Sequence, residues 1–301
     1  MAESPPGYVG RFAPSPTGSL HLGSLLAAVG SFLDARCHGG RWLVRMEDLD
    51  TPRVVPGSAE LILRTLETFG LEWDGEVEYQ SRRTEHYEAA LGALSLRGLT
   101  FPCSCSRREL AGAEEHGYPG TCRNGPTRPG PTALRFRVPD AEVIRFEDRI
   151  QGTQAFELQG LGDVIVRRRD GLIAYQLAVT VDDAAQGITD VVRGADLLAS
   201  SAWQIAIARA LGFPPPHFAH LPLVVEPDGR KLAKSRRSAP VGLLHSGAWL
   251  TETLRLLGQD PPPELTGEPP RIQLDWAVRH FRLAPLNLIR TVNASEADFA
   301  I

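Results

Sequence analysis

Lysine is almost missing from this chain. Of its 32 basic residues only Lys231 and Lys234 are lysines, and both fall in the stretch GRKLAKSRRS. Everywhere else positive charge is carried by guanidinium. Cysteine is nearly as scarce: four in 301 residues, three of them between positions 103 and 122, which excludes a secreted disulfide framework. No apolar run approaches the roughly 20 residues of a membrane helix. The opening MAESPPGYVG has no basic segment followed by an apolar one, so no signal peptide is expected. A net charge of −4 argues against a surface coated in positive charge for wrapping nucleic acid. A cytoplasmic monomer without membrane contact is the expectation.

What the chain has is alternation. The short β-favouring GYVGRF leads into the turn-rich APSPTGS, and LHLGSLLAAVGSFLDAR then repeats Leu22, Leu25, Leu26, Val29, Phe32 and Leu33 at helical spacing. RWLVRME reads as a strand, PGSAELILRTLETFGL as a helix opened by Pro56 and Ser58, and residues 81–97 as a third helix. Strand, helix, strand, helix with short links predicts an α/β fold with a doubly wound, Rossmann-like parallel sheet. Residues 1–100 form its first half on this reading.

At FPCSCSRREL the pattern breaks, and residues 101–160, rich in glycine, proline and arginine, read as an insertion with its own small core. The second half is expected over 161–225. There DVIVRRRDGLIAYQLAVTVDD suggests a hairpin across Arg169-Asp170-Gly171, ASSAWQIAIARALG a helix and FAHLPLVV a last strand. Residues 226–301 hold the lysine loop and two helical patterns separated by DPPPELTGEPPR.

Two stretches carry chemistry. In RFAPSPTGSLHLGS a strand gives way to a Pro/Gly-rich turn and a helix beginning near His21. The free amides and positive dipole end of such a helix suit a phosphate. Gly23 removes a Cβ where a base or phosphate approaches, and His21 can donate to a phosphoryl oxygen. In KLAKS the two lysines offer compact ammonium groups on flexible stems, able to follow a departing phosphate better than a planar guanidinium.

HLGS followed by KLAKS resembles the HIGH and KMSKS signatures of class I aminoacyl-tRNA synthetases. RFAPSPTGSLHLG, RMEDLD and GLIAYQLAVTVDDAAQGITDVVRGAD resemble the glutamyl enzymes of that class over roughly residues 8–240. The resemblance implies ATP as co-substrate with Mg²⁺, and assigns His21, Gly23, Lys231 and Lys234 to ATP and catalysis. It also implies a pocket for L-glutamate built from Arg11, Ser15, Glu47, Tyr175 and Arg193. Two carboxylates and an ammonium are matched there by two arginines and an acid. Three positions depart from the pattern: Ser24 stands for the second histidine of HIGH, Ala233 for the middle serine of KMSKS, and Asp190 for a histidine before VVRG.

Cys103, Cys105 and Cys122 suit a tetrahedral Zn²⁺ that wants one more ligand. Ligand chemistry alone selects His116; the resemblance selects Tyr118, because a small branch of the glutamyl family uses Cys-x-Cys…Tyr-x₃-Cys. Four protein ligands would make the zinc structural. Only 66 residues follow Ser235, too few for the anticodon-binding half of a full glutamyl enzyme. That shape resembles the same small branch, whose members transfer glutamate to the queuosine base in the anticodon of tRNA(Asp). A truncated synthetase charging a tRNA 3′ end, or a non-catalytic tRNA-binding module, are the alternatives.

Overall fold

A computed structural model describes residues 7–106, 108–110, 117–225 and 241–293. β1 (Val9–Phe12), β2 (Arg41–Met46) and β3 (Glu78–Tyr79) are parallel, joined by α1 (Leu22–Cys37) and α2 (Ser58–Thr68), with α3 (Thr84–Leu96) following. A strip of three antiparallel strands comes next in space: β4 (Thr100–Cys103), β5 (Ala133–Phe136) and, later in the chain, β8 (Val164–Arg167). Between β5 and β8 run β6 (Val143–Asp148), β7 (Gly152–Glu157) and the single-turn α4 (Leu158–Leu161). After β8 come α5 (Tyr175–Ala185), β9 (Asp190–Gly194), α6 (Ser200–Leu211), β10 (His217–Leu221) and β11 (Leu223–Val225). The rest of the described chain holds α7 (Ser246–Leu256), α8 (Pro270–His280) and β12 (Thr291–Asn293).

β9 and β10 are parallel to each other and to β6, in the order β7-β6-β10-β9. The two parallel units meet at β1 and β9. Just before β9, Thr189 donates its backbone N–H to Val9 O at 2.9 Å, and its Oγ1 accepts from Val9 N–H at 2.9 Å. The strands therefore follow one another as β3-β2-β1-β9-β10-β6-β7.

Burial on both faces of this sheet explains the apolar strand sequences. Within β2, Trp42 and Val44 pack on the face of α1, α2, α7 and α8, while Leu43 packs on the face of α3, α5 and α6. In β9 and β10, Val192 and Ala219 belong to the first core, and Val191 and Phe218 to the second. Adjacent residues thus point to opposite faces, as a pleat requires.

Three expectations change. The hairpin expected across Arg169-Asp170-Gly171 shrinks to one bridge, Arg167 with Ile173, and its second limb is the helix α5. Its β-branched run Val179-Thr180-Val181 follows the Arg169-Asp170-Gly171 turn, and such residues suit a strand as well as a buried helix. FAHLPLVV is broken at Pro222, which lacks a ladder donor, and β11 pairs instead with β12, a strand beyond the expected last one. The hairpin β6–β7, inside the stretch read as an insertion, pairs with β10 in the main sheet. None of the described helices is long and apolar enough to cross a membrane.

Candidate active site

A cleft of about 600 Å³ opens where the carboxyl ends of β1, β2, β9 and β10 meet the start of α1. This is the crevice where the connections leave the sheet in opposite senses, the usual ligand position in open α/β sheets. Arg11, Ser15, His21, Gly23, Glu47, Tyr175 and Arg193 all line it. The structure thus brings together residues up to 182 positions apart. Lys231 and Lys234 lie outside the described residues, but the segments flanking them reach the cleft. Val224 lines it, and Val241 N–H donates to the backbone O of Leu20, another lining residue, at 3.1 Å.

His21 is the N-cap of α1, with φ −107° and ψ 170°. Its Nδ1 accepts from Ser24 N–H at 3.2 Å, satisfying one free amide of the first turn. The neutral ring then carries its proton on Nε2, 3.0 Å from Ser24 Oγ. The Ser24 hydroxyl, a departure from the HIGH pattern, meets His21 itself. Gly23 is explained locally as well: a Cβ there would stand 3.3 Å from the His21 ring. Ser15 is exposed on the preceding loop.

Arg11 is only 3% exposed, and its Nε donates to Asp183 at 3.3 Å. Asp183 also accepts from Arg45 Nη2 at 2.8 Å. Burial alone would raise the Asp183 carboxyl, but the two flanking guanidiniums hold it below the ordinary range. Arg45 is fully buried inside the apolar strand β2, and Asp182 beside it accepts from Gln80, Arg83 and Tyr87 at 2.7–2.8 Å. Sequence reading missed this charged floor. Its signal was Arg45, an arginine near the end of the apolar RWLVRM, where an apolar residue is ordinary.

Glu47 follows β2. Burial pushes its carboxyl up to about 7, against the pull of Arg45 and Arg11. Its Oε1 lies 3.5 Å from Arg45 Nη2 and makes no hydrogen bond. Arg193, in β9, is 5% exposed. Its Nη2 donates to Ser201 Oγ at 2.8 Å and to Leu197 O at 3.3 Å, and its Nε faces His220 Nε2 at 3.1 Å. Its Nη1 is buried and unpartnered. Burial lowers the Arg193 pKa, and burial likewise raises that of the half-buried Tyr175 at the start of α5. The cleft is therefore lined by a carboxylate whose Oε1, though ion-paired with Arg45, makes no hydrogen bond, and by a guanidinium whose Nη1 makes none. Buried polar atoms are rarely left so, and a ligand with an ammonium and a carboxylate would satisfy both.

The cysteines stand apart, at one end of the β4-β5-β8 strip. The Sγ atoms of Cys103, Cys105 and Cys122 lie within 4.8 Å of one another. Cys105 and Cys122 are 3.5 Å apart, too far for a disulfide. The Tyr118 hydroxyl sits 3.4 Å from Cys103 Sγ and 3.7 Å from Cys105 Sγ. Zinc–sulfur bonds of about 2.3 Å and zinc–oxygen bonds of about 2.0 Å give tetrahedral edges of about 3.5–3.8 Å, so these four donors fit the ion. Tyr118 is placed by Gly162, whose φ is +74°: a Cβ at Gly162 would come within 2.2 Å of Tyr118 N. The Arg135 guanidinium covers the Tyr118 ring at 3.7 Å. His116 lies outside the described residues. A second group, Asp34, Cys37 and His38, is no comparable site, because the Asp34 carboxylate is already taken by Arg149 and Tyr8.

Residues 8–245 match the family model "tRNA synthetases class I (E and Q), catalytic domain". The chain belongs to this family. It is 53% identical over 270 residues to the glutamyl-Q tRNA(Asp) synthetase of Ectopseudomonas mendocina, covering 89% of this chain and 91% of that one. Identity to the enzyme of the same name from Aromatoleum aromaticum is also 53%, over 93% and 91% of the two chains. Among solved structures, the glutamate-tRNA synthetase of Elizabethkingia anophelis superposes with a TM-score of 0.81 at 25% identity, covering 97% of this chain and 69% of that one. The likeness to these synthetases supports a class I fold beneath both the cleft and the cysteine knuckle.

Proposed function

We propose that this chain activates L-glutamate with ATP and transfers the glutamyl group to the queuosine base in the anticodon of tRNA(Asp). The observation that carries the first half is a pair of buried atoms without hydrogen bonds on residues lining one cleft, Glu47 Oε1 and Arg193 Nη1. Glu47 takes the substrate ammonium, Arg193 and Arg11 take its carboxylates, and Ser15 and Tyr175 add hydroxyls. His21, Gly23 and the start of α1 receive the ATP phosphates. Mg²⁺ accompanies ATP as part of the substrate. A glutamate carboxylate oxygen attacks the α-phosphorus and pyrophosphate leaves. A hydroxyl of the queuosine cyclopentene ring then attacks the adenylate carbonyl, and AMP leaves. The protein contributes positioning and charge, with no covalent enzyme intermediate. The tRNA half rests on similarity to the glutamyl-Q tRNA(Asp) synthetases.

Zn²⁺, held by Cys103, Cys105, Tyr118 and Cys122, supplies structural cross-linking here. Its four ligands leave no open position for catalysis. The enzyme works as a cytoplasmic monomer on this reading. The test is glutamate-dependent ATP–pyrophosphate exchange without tRNA, followed by glutamyl transfer to tRNA(Asp) with and without queuosine. Exchange together with queuosine-dependent transfer is expected. Charging of the 3′ end of queuosine-free tRNA would point to a truncated synthetase, and absent exchange to a non-catalytic module.

A further inference from the structure

Beneath the cleft lies a buried constellation that no step above uses. Ser201 of α6, His220 of β10 and Asp148 of β6 are each at most 3% exposed. Ser201 Oγ is 3.3 Å from His220 Nε2, and His220 Nδ1 is 2.5 Å from Asp148 Oδ2. These are the residue types of a hydrolytic triad, but the arrangement is not one. None of the three lines the cleft, and the nitrogen that would take the serine proton already faces Arg193 Nε at 3.1 Å.

The hydrogen bonds fix the state of the imidazole. Asp148 Oδ1 accepts the backbone N–H groups of Ile150, Gln151 and His220 at 3.0, 2.8 and 3.1 Å. Burial would raise this carboxyl, yet the bonds from His220 and the backbone hold it below the ordinary range. Asp148 therefore stays ionised and takes the Nδ1–H. Nε2 is left as a bare lone pair, the only kind of partner a guanidinium N–H can use. Burial also keeps the imidazole pKa below its usual value, so the ring is neutral at assay pH.

The contrast with Arg11 shows what this accomplishes. Arg11 Nε is met by the Asp183 carboxylate, which cancels much of its charge. Arg193 makes no ion pair with a protein carboxylate among the described residues, although it is just as deeply buried. A carboxylate in place of His220 would hold Arg193 equally well but would compete with a substrate carboxylate for it. We infer that His220, locked in its Nδ1-protonated tautomer by Asp148, is a positioning residue that aims Arg193 Nη1 into the cleft while leaving its charge for the substrate. Ser201 and Leu197 O fix the second nitrogen, so three of the guanidinium's contacts are neutral acceptors and only Nη1 is free.

This inference rests on the proposed role of Arg193 in binding glutamate, and the experiment separates the two. Exchange kinetics are measured against glutamate and against ATP for Arg193→Ala, His220→Asn and His220→Gln, with melting curves for each. Asn keeps an amide donor near Asp148 but places no acceptor at the Nε2 position, whereas Gln reaches that position with its amide oxygen. His220→Asn is expected to raise the glutamate KM roughly 10- to 100-fold, leave the ATP KM unchanged, and be largely rescued in His220→Gln. A wild-type glutamate KM in His220→Asn, beside a raised one in Arg193→Ala, overturns the inference alone. An unaffected Arg193→Ala overturns the reading beneath it. If His220→Asn melts at assay temperature, ¹⁵N-histidine NMR of the unaltered protein decides, with the His220 signal assigned by its loss in His220→Gln. An Nδ1–H tautomer at neutral pH is expected; an Nε2–H tautomer or an imidazolium overturns the inference.

Discussion

The cleft floor and the cysteine knuckle both bury polar side chains, and they differ in what is left over. At the knuckle, three thiols and the Tyr118 hydroxyl cluster within a 20-residue stretch. On the cleft floor, Asp182 and Asp183 pair Arg11, Arg45 and Arg83, while Glu47 Oε1 and Arg193 Nη1, on residues that line the cleft, are left without a hydrogen bond. The proposed zinc site would complete itself with its ion. The proposed glutamate site stops short, and the shortfall has the outline of an ammonium and a carboxylate. Changes in the cleft should therefore act on substrate binding, and changes in the knuckle on stability.

The largest expected effect is in the lysine loop that borders the cleft in sequence. Lys234→Ala should slow single-turnover adenylate formation about 10²–10³-fold while altering ATP binding far less. Lys234→Arg should lose most activity too. Near-wild-type rates in the arginine variant would show that charge alone suffices there.

Arg193→Ala follows, with an expected loss of about 2–5 kcal/mol in glutamate binding, read as the glutamate KM in exchange, and an unchanged ATP KM. A fall in melting temperature without a change in KM would place Arg193 on the structural side of the comparison.

Removing the metal, by chelation or Cys122→Ala, should lower the melting temperature by about 10 °C. The glutamate KM of the protein still folded should stay as it was. One zinc per chain is expected by elemental analysis. Tyr118→Phe should weaken retention of the ion and His116→Ala should not. The reverse result would exchange the fourth ligand.

Glu47→Gln sharpens the contrast at the smallest scale. The folded-state pKa of Glu47 is raised from 4.5 to about 7, so the folded chain holds an extra proton across that window. Its contribution to stability is then fully present below about 4.5 and lost as pH rises through 7, at a cost of about 3 kcal/mol above it. The glutamine variant should melt higher than the wild type at pH 8 and alike at pH 4.5, while losing glutamate-dependent exchange. In the wild type, glutamate affinity should rise with pH through about 7, because the ammonium needs the ionised acid. A pH-independent difference in melting would refute the assignment.

Much of this was legible in the chain. The spacing of Leu22, Leu25, Leu26, Val29, Phe32 and Leu33 declared α1, because apolar residues recur there three and four apart. Cys103, Cys105 and Cys122 declared a thiol cluster, because side chains so close in sequence need no long-range fold to find one another. The helix α5 was misread, since its β-branched run Val179-Thr180-Val181 after the Arg169-Asp170-Gly171 turn suits a strand as well as a helix. His21 and Gly23 were reached through the turn before α1, whereas Arg11, Ser15, Glu47, Tyr175 and Arg193 were reached through resemblance to the glutamyl family rather than through any pattern of their own.

By itself, then, the sequence determined the alternating elements, the cysteine cluster and the motif-bearing turn before α1, all of which depend on neighbours a few residues away. Only the tertiary structure decided that β6 and β7 join the main sheet, that Asp183 stands against Arg11, and that a neutral His220 stands against Arg193. Those pairings join residues 27 to 172 positions apart. Whether a buried charge is matched depends on which strand ends meet, and no local pattern of residues encodes that distance.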